Sequence, residues 1–199
     1  MKKKQMSSKD LLLCFLYSPG QEEGINEPIV GRTKLTKMMF LFEKEIYSHF
    51  FKDDVDITLP EFKPYYFGPF SKQLFEDLAF FESVGIIQTN ATAIPISPAD
   101  KIESEEVFDF DSNEDWSEAC FDEVEKYELE YRLSKNGTKY VEDKVWDVLT
   151  QKQQEKLQAF KAQINKISLD ALLRYVYNKY PEETTKSKIA GKYLNESGE

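Results

Sequence analysis

Apolar residues fall along this chain in stretches of helical period, interrupted by two stretches of strand character. Ser7 and Asp10 are spaced as a capping box ahead of Leu11, Leu12, Phe15 and Leu16, which predicts a first helix ending at Pro19-Gly20. A second helix is expected near Thr33–His49. Its Leu35, Met38, Met39, Phe42 and Ile46 fall at i, i+3, i+4, i+7 and i+11, which describes one buried face, with Arg32, Lys34, Lys37 and Lys44 opposite. Phe62–Phe67 reads as extended. Gly68 and Pro69 then read as a structural turn, Gly68 allowing a tight bend and Pro69 presetting φ for the first turn of a third helix, Ser71–Val84. That helix turns Leu74, Phe75, Leu78 and Phe81 inward and stops at Gly85, a natural left-handed cap.

Ile86-Ile87-Gln88 restarts the chain as a strand. Tyr127, Leu129, Tyr131 and Leu133 alternate with Glu128, Glu130 and Arg132, the period of a half-buried strand. Ser134–Gly137 leads into a helix carrying Tyr140, Val141, Val145 and Val148. Two further helices follow Thr150 (Leu157, Phe160, Ile164) and Ser168, the last ending at Pro181.

The expected fold is therefore α+β and mainly helical. It has a winged-helix-like core with a small antiparallel hairpin, a long acidic wing insertion and a C-terminal helical extension. One domain accounts for residues 1–199: 1–98 and 127–149 form the core, 99–126 the insertion, 150–188 the C-terminal helices and 189–199 a tail. A chain of 199 residues suits one ample core better than two.

Charge changes this picture locally. The net charge is −10, but fourteen of the 36 acidic residues and only two of the 26 basic ones fall in 100–130. The remainder holds 22 acids against 24 bases, so the acidity belongs to one segment. That segment also carries Val107, Phe108, Phe110, Trp116, Phe121 and Val124, which makes it a candidate docking arm as well as a solvated loop.

Three short motifs resemble a known family: Gly31-Arg-Thr-Lys-Leu-Thr-Lys37, Tyr66-Phe-Gly-Pro-Phe-Ser71 and Tyr131-Arg-Leu-Ser-Lys-Asn-Gly137. With Leu172–Pro181 they are similar to the bacterial YwgA-like proteins and, more distantly, to the Panacea domain of the SocA antitoxin. The resemblance covers most of 31–88 and 127–188 and leaves out the acidic insertion. It implies an accessory, toxin-neutralising or otherwise protein-binding role, and it carries over no catalytic residue.

Candidate chemistry is thin. His49 is the only histidine, sits near a helix end, and has no Gly-x-Ser-x-Gly turn to serve. Asp56, Glu61 and Lys63 have the order of a metal-dependent nuclease constellation, but charges flanking a short strand explain them equally well. Asp109, Asp111 and Asn113 imitate a calcium loop, yet Glu114 holds the sharp-turn position and Cys120 the closing one, so an EF-hand is rejected. Cys14 and Cys120 cannot close a zinc site, and reduced thiols in the cytoplasm are expected. Lys9 and Asp10 interrupt the short apolar run behind Lys2–Lys4, so it is not read as an export signal, and no apolar stretch is long enough for a membrane.

The function expected is thus a non-enzymatic accessory or antitoxin-like component of a bacterial system, with another protein as partner and no cofactor, catalytic residue or metal. Candidate partner contacts are Phe108, Phe110, Trp116, Lys34 and Lys37. The alternative is a winged-helix DNA-binding regulator using Arg32, Lys34, Lys37, Lys72, Arg132 and Lys135. Against it, the third helix also carries Glu76, Asp77 and Glu82, and the wing would bring −12 towards a polyanion.

Overall fold

The computed structural model describes residues 3–20, 24–93 and 127–194. They form a mainly helical α+β structure organised around α2 (Arg32–Leu41), which continues through a π-helical segment (Phe42–Tyr47) and a last turn (Ser48–Phe50). All eight residues from Leu35 to Phe42 are buried, so α2 is a central helix and not a surface one. The five apolar positions expected to face inward all do. Lys37, expected on the solvent face, is 2% exposed. An apolar stripe marks only the side most in need of cover; here α5 (Gln151–Lys166) and α6 (Leu169–Lys179) also pack on α2.

α1 (Ser8–Tyr17) has its Ser7 capping box, the Asp10 N–H donating to Ser7 Oγ (3.2 Å) and the Ser7 N–H to Asp10 Oδ2 (3.0 Å). Leu11 to Leu16 are wholly buried, as befits a helix apolar on all sides. A three-stranded antiparallel sheet has the order β2 (Ile29–Val30), β7 (Tyr127–Leu133), β6 (Ile87–Ala93). Ile29 opposes Tyr131 and Ile87 opposes Leu133, and Leu129, Tyr131 and Leu133 turn into the core at the expected period of two. Beyond β2 the side chain of Asn26, a residue at φ +66°, takes the place of a strand. Its Nδ2 donates to Leu133 O (2.9 Å) and its Oδ1 accepts from the Leu133 N–H (2.7 Å). A parallel pair, β1 (Lys4–Met6) with β3 (Val55–Ile57), closes the other side.

Gly68-Pro69 does not open the third helix. Both residues lie in β5 (Gly68–Phe70), which pairs antiparallel with β4 (Lys63–Tyr65) so that Pro69 faces Pro64 and Tyr65 faces Gly68. A proline lacking its N–H suits the edge of a two-stranded hairpin as well as a first helical turn, so the local signal was ambiguous. Gly68 does supply the bend, at φ +80°. Ser71 caps α3 (Lys72–Ser83), which ends at Gly85 (φ +69°). Leu74, Leu78 and Phe81 are buried and Phe75 is half-buried.

Ser134 caps α4 (Lys135–Lys144), so Lys135-Asn136-Gly137 are its first turn rather than a loop before it. Val141 and Val145 pack inward, whereas Tyr140 is 44% exposed. Gly137 lies directly on the Ile86 backbone, where a Cβ would collide with the Ile86 carbonyl oxygen. Alanine ordinarily favours a helix over glycine by about 1 kcal/mol, but backbone cannot yield as a flexible side chain can. Gly137→Ala is therefore expected to destabilise by about 2–3 kcal/mol, within the range for overpacking; a melting temperature equal to or above that of the parent would show that the two backbones are not in contact.

Thr150 and Gln153 form a second capping box at the start of α5, and Ser168 caps α6. The helical packing continues past 188, because α7 (Ala190–Tyr193) seats a buried Tyr193 against Tyr177 at 5.3 Å. Among the described residues no helix is long and apolar enough to cross a membrane. Residues 99–126 lie outside the described part, and with them Phe108, Phe110, Trp116, Asp109, Asp111, Asn113 and Cys120.

Candidate protein-binding site

The β4–β5 hairpin and the start of α3 place four rings in a row. Tyr65 stacks on Tyr66 (centroids 4.5 Å, 25° between planes), Tyr65 lies 5.0 Å from Phe70, and Phe70 lies 4.9 Å from Phe75. A cation stands at each end: Lys188 Nζ is 4.4 Å from the Tyr66 centroid, and Arg32 Cζ is 5.3 Å from that of Phe75. All four rings are half-buried. The row thus holds large apolar faces in fixed positions, and aromatic residues are enriched in the cores of protein interfaces, with the two cations at its rim.

Polar ties seat the hairpin on the elements beneath it. At the turn, Tyr66 O accepts from the Lys188 N–H (3.0 Å) and from Ser187 Oγ (3.0 Å), and Ser187 Oγ is in turn 2.6 Å from the Tyr177 hydroxyl. At the base, Lys37 Nζ donates to Pro69 O at 2.9 Å. Gly68 completes the junction: a Cβ there would stand 3.1 Å from Tyr177 Cε2 and 3.4 Å from Lys37 Nζ. Burial alone pushes Lys37 down to about 7 and, as the leading cause, pushes Tyr177 up to about 12.

Of the cations singled out in the sequence, most serve structural contacts. Lys37 is removed from any contact surface by its burial, both as a partner residue and as a DNA ligand. Half-buried Lys34 donates to Asn165 O (3.1 Å); burial lowers its pKa, against an opposing effect of Glu128. Arg32 donates to the Tyr131 hydroxyl (3.0 Å), Arg132 grips Glu130 through two nitrogens (2.8 and 2.9 Å), and Lys72 pairs with Glu76 at 3.6 Å. Lys135 is exposed on the first turn of α4. Asp77 is buried under the start of α1, accepting from Ser8 Oγ (3.2 Å) with Lys9 at 3.7 Å; burial raises its pKa.

The residues with candidate catalytic chemistry lie apart in their contacts. His49 is exposed, its Nδ1 3.0 Å from Ser48 Oγ. Asp56 accepts from Gln5 Nε2 (3.1 Å), while Glu61 and Lys63 form a solvent-exposed pair at 3.3 Å. Among the described residues no group of three or more His, Cys, Asp or Glu side chains is placed to hold a metal ion. Cys14 is completely buried, which pushes its thiol far up.

The aromatic row was not singled out in the sequence, although four aromatics among the six residues 65–70 were a visible signal. Compared with known proteins, the chain matches no family model, no curated protein and no solved structure.

Proposed function

We propose that this chain is a non-enzymatic, protein-binding accessory, antitoxin-like in role, that meets its partner through the aromatic row Tyr66–Tyr65–Phe70–Phe75. The row itself carries the reading: rings fixed by mutual stacking lose little conformational entropy on association, which is what makes aromatic residues effective interface anchors. The core is read as winged-helix-like, supported by the β2–β7–β6 sheet and by the order α1, β2, α2, α3, β6, β7, into which β3 and the β4–β5 hairpin are inserted between α2 and α3. The same reading extends to the resemblance with YwgA-like and Panacea proteins, whose shared Lys-Leu and Gly-Pro elements fall on α2 and on the hairpin. A DNA-binding use of this core is the weaker reading, because Arg32, Lys34, Lys72 and Arg132 are engaged within the fold and Lys37 lies inside it.

The test is co-expression with the product of the neighbouring gene, followed by calorimetric titration of the purified pair. Tyr65→Ser and Phe75→Ser are each expected to weaken binding at least tenfold, the loss of an interface anchor worth more than about 1.4 kcal/mol, without lowering the melting temperature enough to unfold the chain. Undiminished affinity in both variants would remove the row from the interface. Salt-dependent, sequence-selective retention of duplex DNA, lost in Arg132→Gln or Lys135→Gln, would overturn the protein-binding reading altogether.

A further inference from the structure

Lys37 is a long cationic side chain folded into the middle of the protein with a single carbonyl as its hydrogen-bond partner, Pro69 O. An ammonium group has three protons to place and a free amine two, so a single carbonyl leaves fewer donors unmet when the group is uncharged. α6 and the hairpin both place groups beside it. From α6 comes Tyr177, neutral across the physiological range, with Tyr193 behind it; from the hairpin come the backbones of Gly68 and Pro69. Burial disfavours the charged form and pushes the Lys37 amine down to about 7, so above neutrality the free base predominates while the bond to Pro69 O is kept.

The position of this amine matters more than its burial. It sits where α2, α6 and the hairpin meet, and it forms one polar tie of the hairpin, the Ser187 and Lys188 contacts at Tyr66 O forming another. The hairpin carries Tyr65, Tyr66 and Phe70, three of the four rings in the row. Anything that lifts Pro69 from Lys37 therefore moves Tyr65, Tyr66 and Phe70 together, away from Phe75 on α3, and lets water reach the amine.

We propose that Lys37 is a proton-linked latch: the hairpin is seated when the amine is uncharged, and each opening of the hairpin takes up one proton at Lys37 Nζ. Opening grows easier as the pH falls towards 7 and changes little below it, so the presentation of the aromatic row is tuned by pH on the alkaline side of neutrality. The consequence for partner binding rests on the proposed protein-binding role; the latch itself does not.

The test uses hydrogen exchange on the free, full-length protein, corrected for the pH dependence of intrinsic exchange. Amides of residues 63–70 are expected to exchange by an opening smaller than global unfolding, faster than those of Leu157–Ile164 in α5. Their protection should rise roughly fiftyfold between pH 7 and pH 9, the slope of one proton per opening. Lys37→Met should abolish that slope. Hairpin protection that is flat with pH, that equals the protection of α5, or that keeps its slope in Lys37→Met overturns the latch. A direct titration of the Lys37 side chain by NMR stands beside it and needs no variant: a midpoint near 7 is expected, and one near the ordinary lysine value overturns the proposal. A working latch combined with pH-independent partner binding would instead remove the row from the interface and leave the latch standing.

Discussion

Lys161→Met is expected to lower the stability of this protein by about 3–5 kcal/mol, a large share of the whole stability of an ordinary domain. Lys161 is fully buried on α5, and its Nζ donates to three carbonyls: Leu16 O (3.2 Å), Ser18 O (2.6 Å) and Glu27 O (2.6 Å). Leu16 and Ser18 lie at the C-terminal end of α1, where the last carbonyls have no partner within the helix and where the macrodipole favours a cation. The third carbonyl comes from the loop leading to β2, so one ammonium group ties α1, that loop and α5 together. Nearby, Asn165 Nδ2 reinforces the same loop by donating to Glu27 Oε1 (2.8 Å) and Pro28 O (3.2 Å). Methionine fills a similar volume but offers no proton, leaving three buried acceptors at about 1–3 kcal/mol apiece before any relaxation. Urea unfolding monitored by far-UV circular dichroism measures the difference. A loss below about 1 kcal/mol would mean that water enters and replaces the ammonium, and that the cage is not a structural pin.

What could be read from the chain beforehand was whatever is decided within a few residues. The Ser7–Asp10 box, the Gly85 cap and the alternation of Leu129, Tyr131 and Leu133 depend on spacing alone, and each stands in the structure as the spacing implies. Lys37 and Lys161 were not legible as interior residues, because burial there is decided by segments more than a hundred residues away. α6 and α5 cover α2 from the far end of the chain, and nothing in Thr33–His49 announces a second covered face. The hairpin failed for a related reason. Gly-Pro chemistry serves a turn, an edge strand and a helix start alike, and the choice fell to the pairing of Pro64 with Pro69 and to the carbonyl that Lys37 captures. Asn26 is the same lesson in miniature, since its strand-like role exists only because Leu133 lies beside it. The candidate site inherited both difficulties: its rings were countable in the sequence, but their order in space depends on the hairpin register and on Arg32 reaching across to Phe75.

The two buried lysines are expected to respond in opposite directions to the same substitution. Lys161 has at least three acceptors and loses them on truncation; Lys37 has one, and its charge is opposed by burial. For Lys37 the folded-state value of about 7 lies below the 10.5 of an unhindered lysine. Between those two values the unfolded chain binds the extra proton, so stability rises with pH across that window and is at its lowest below 7. Carrying the group across the whole interval corresponds to about 4–5 kcal/mol. Lys37→Met removes that penalty and forfeits one hydrogen bond to Pro69 O, worth about 1 kcal/mol. The variant should therefore be more stable than the parent by about 3 kcal/mol at pH 7, with the advantage shrinking as the pH rises towards 10. Ionisation of Cys14, of buried Tyr177 and of half-buried Tyr180 opposes folding at the alkaline end in both proteins, since burial is the leading cause holding their pKa values up. Subtracting the two stability curves cancels that contribution and isolates Lys37. A constant difference across pH 6.5–10 would show that Lys37 is charged in the folded state throughout, and a variant less stable at every pH would show that the Pro69 bond outweighs the burial of the amine.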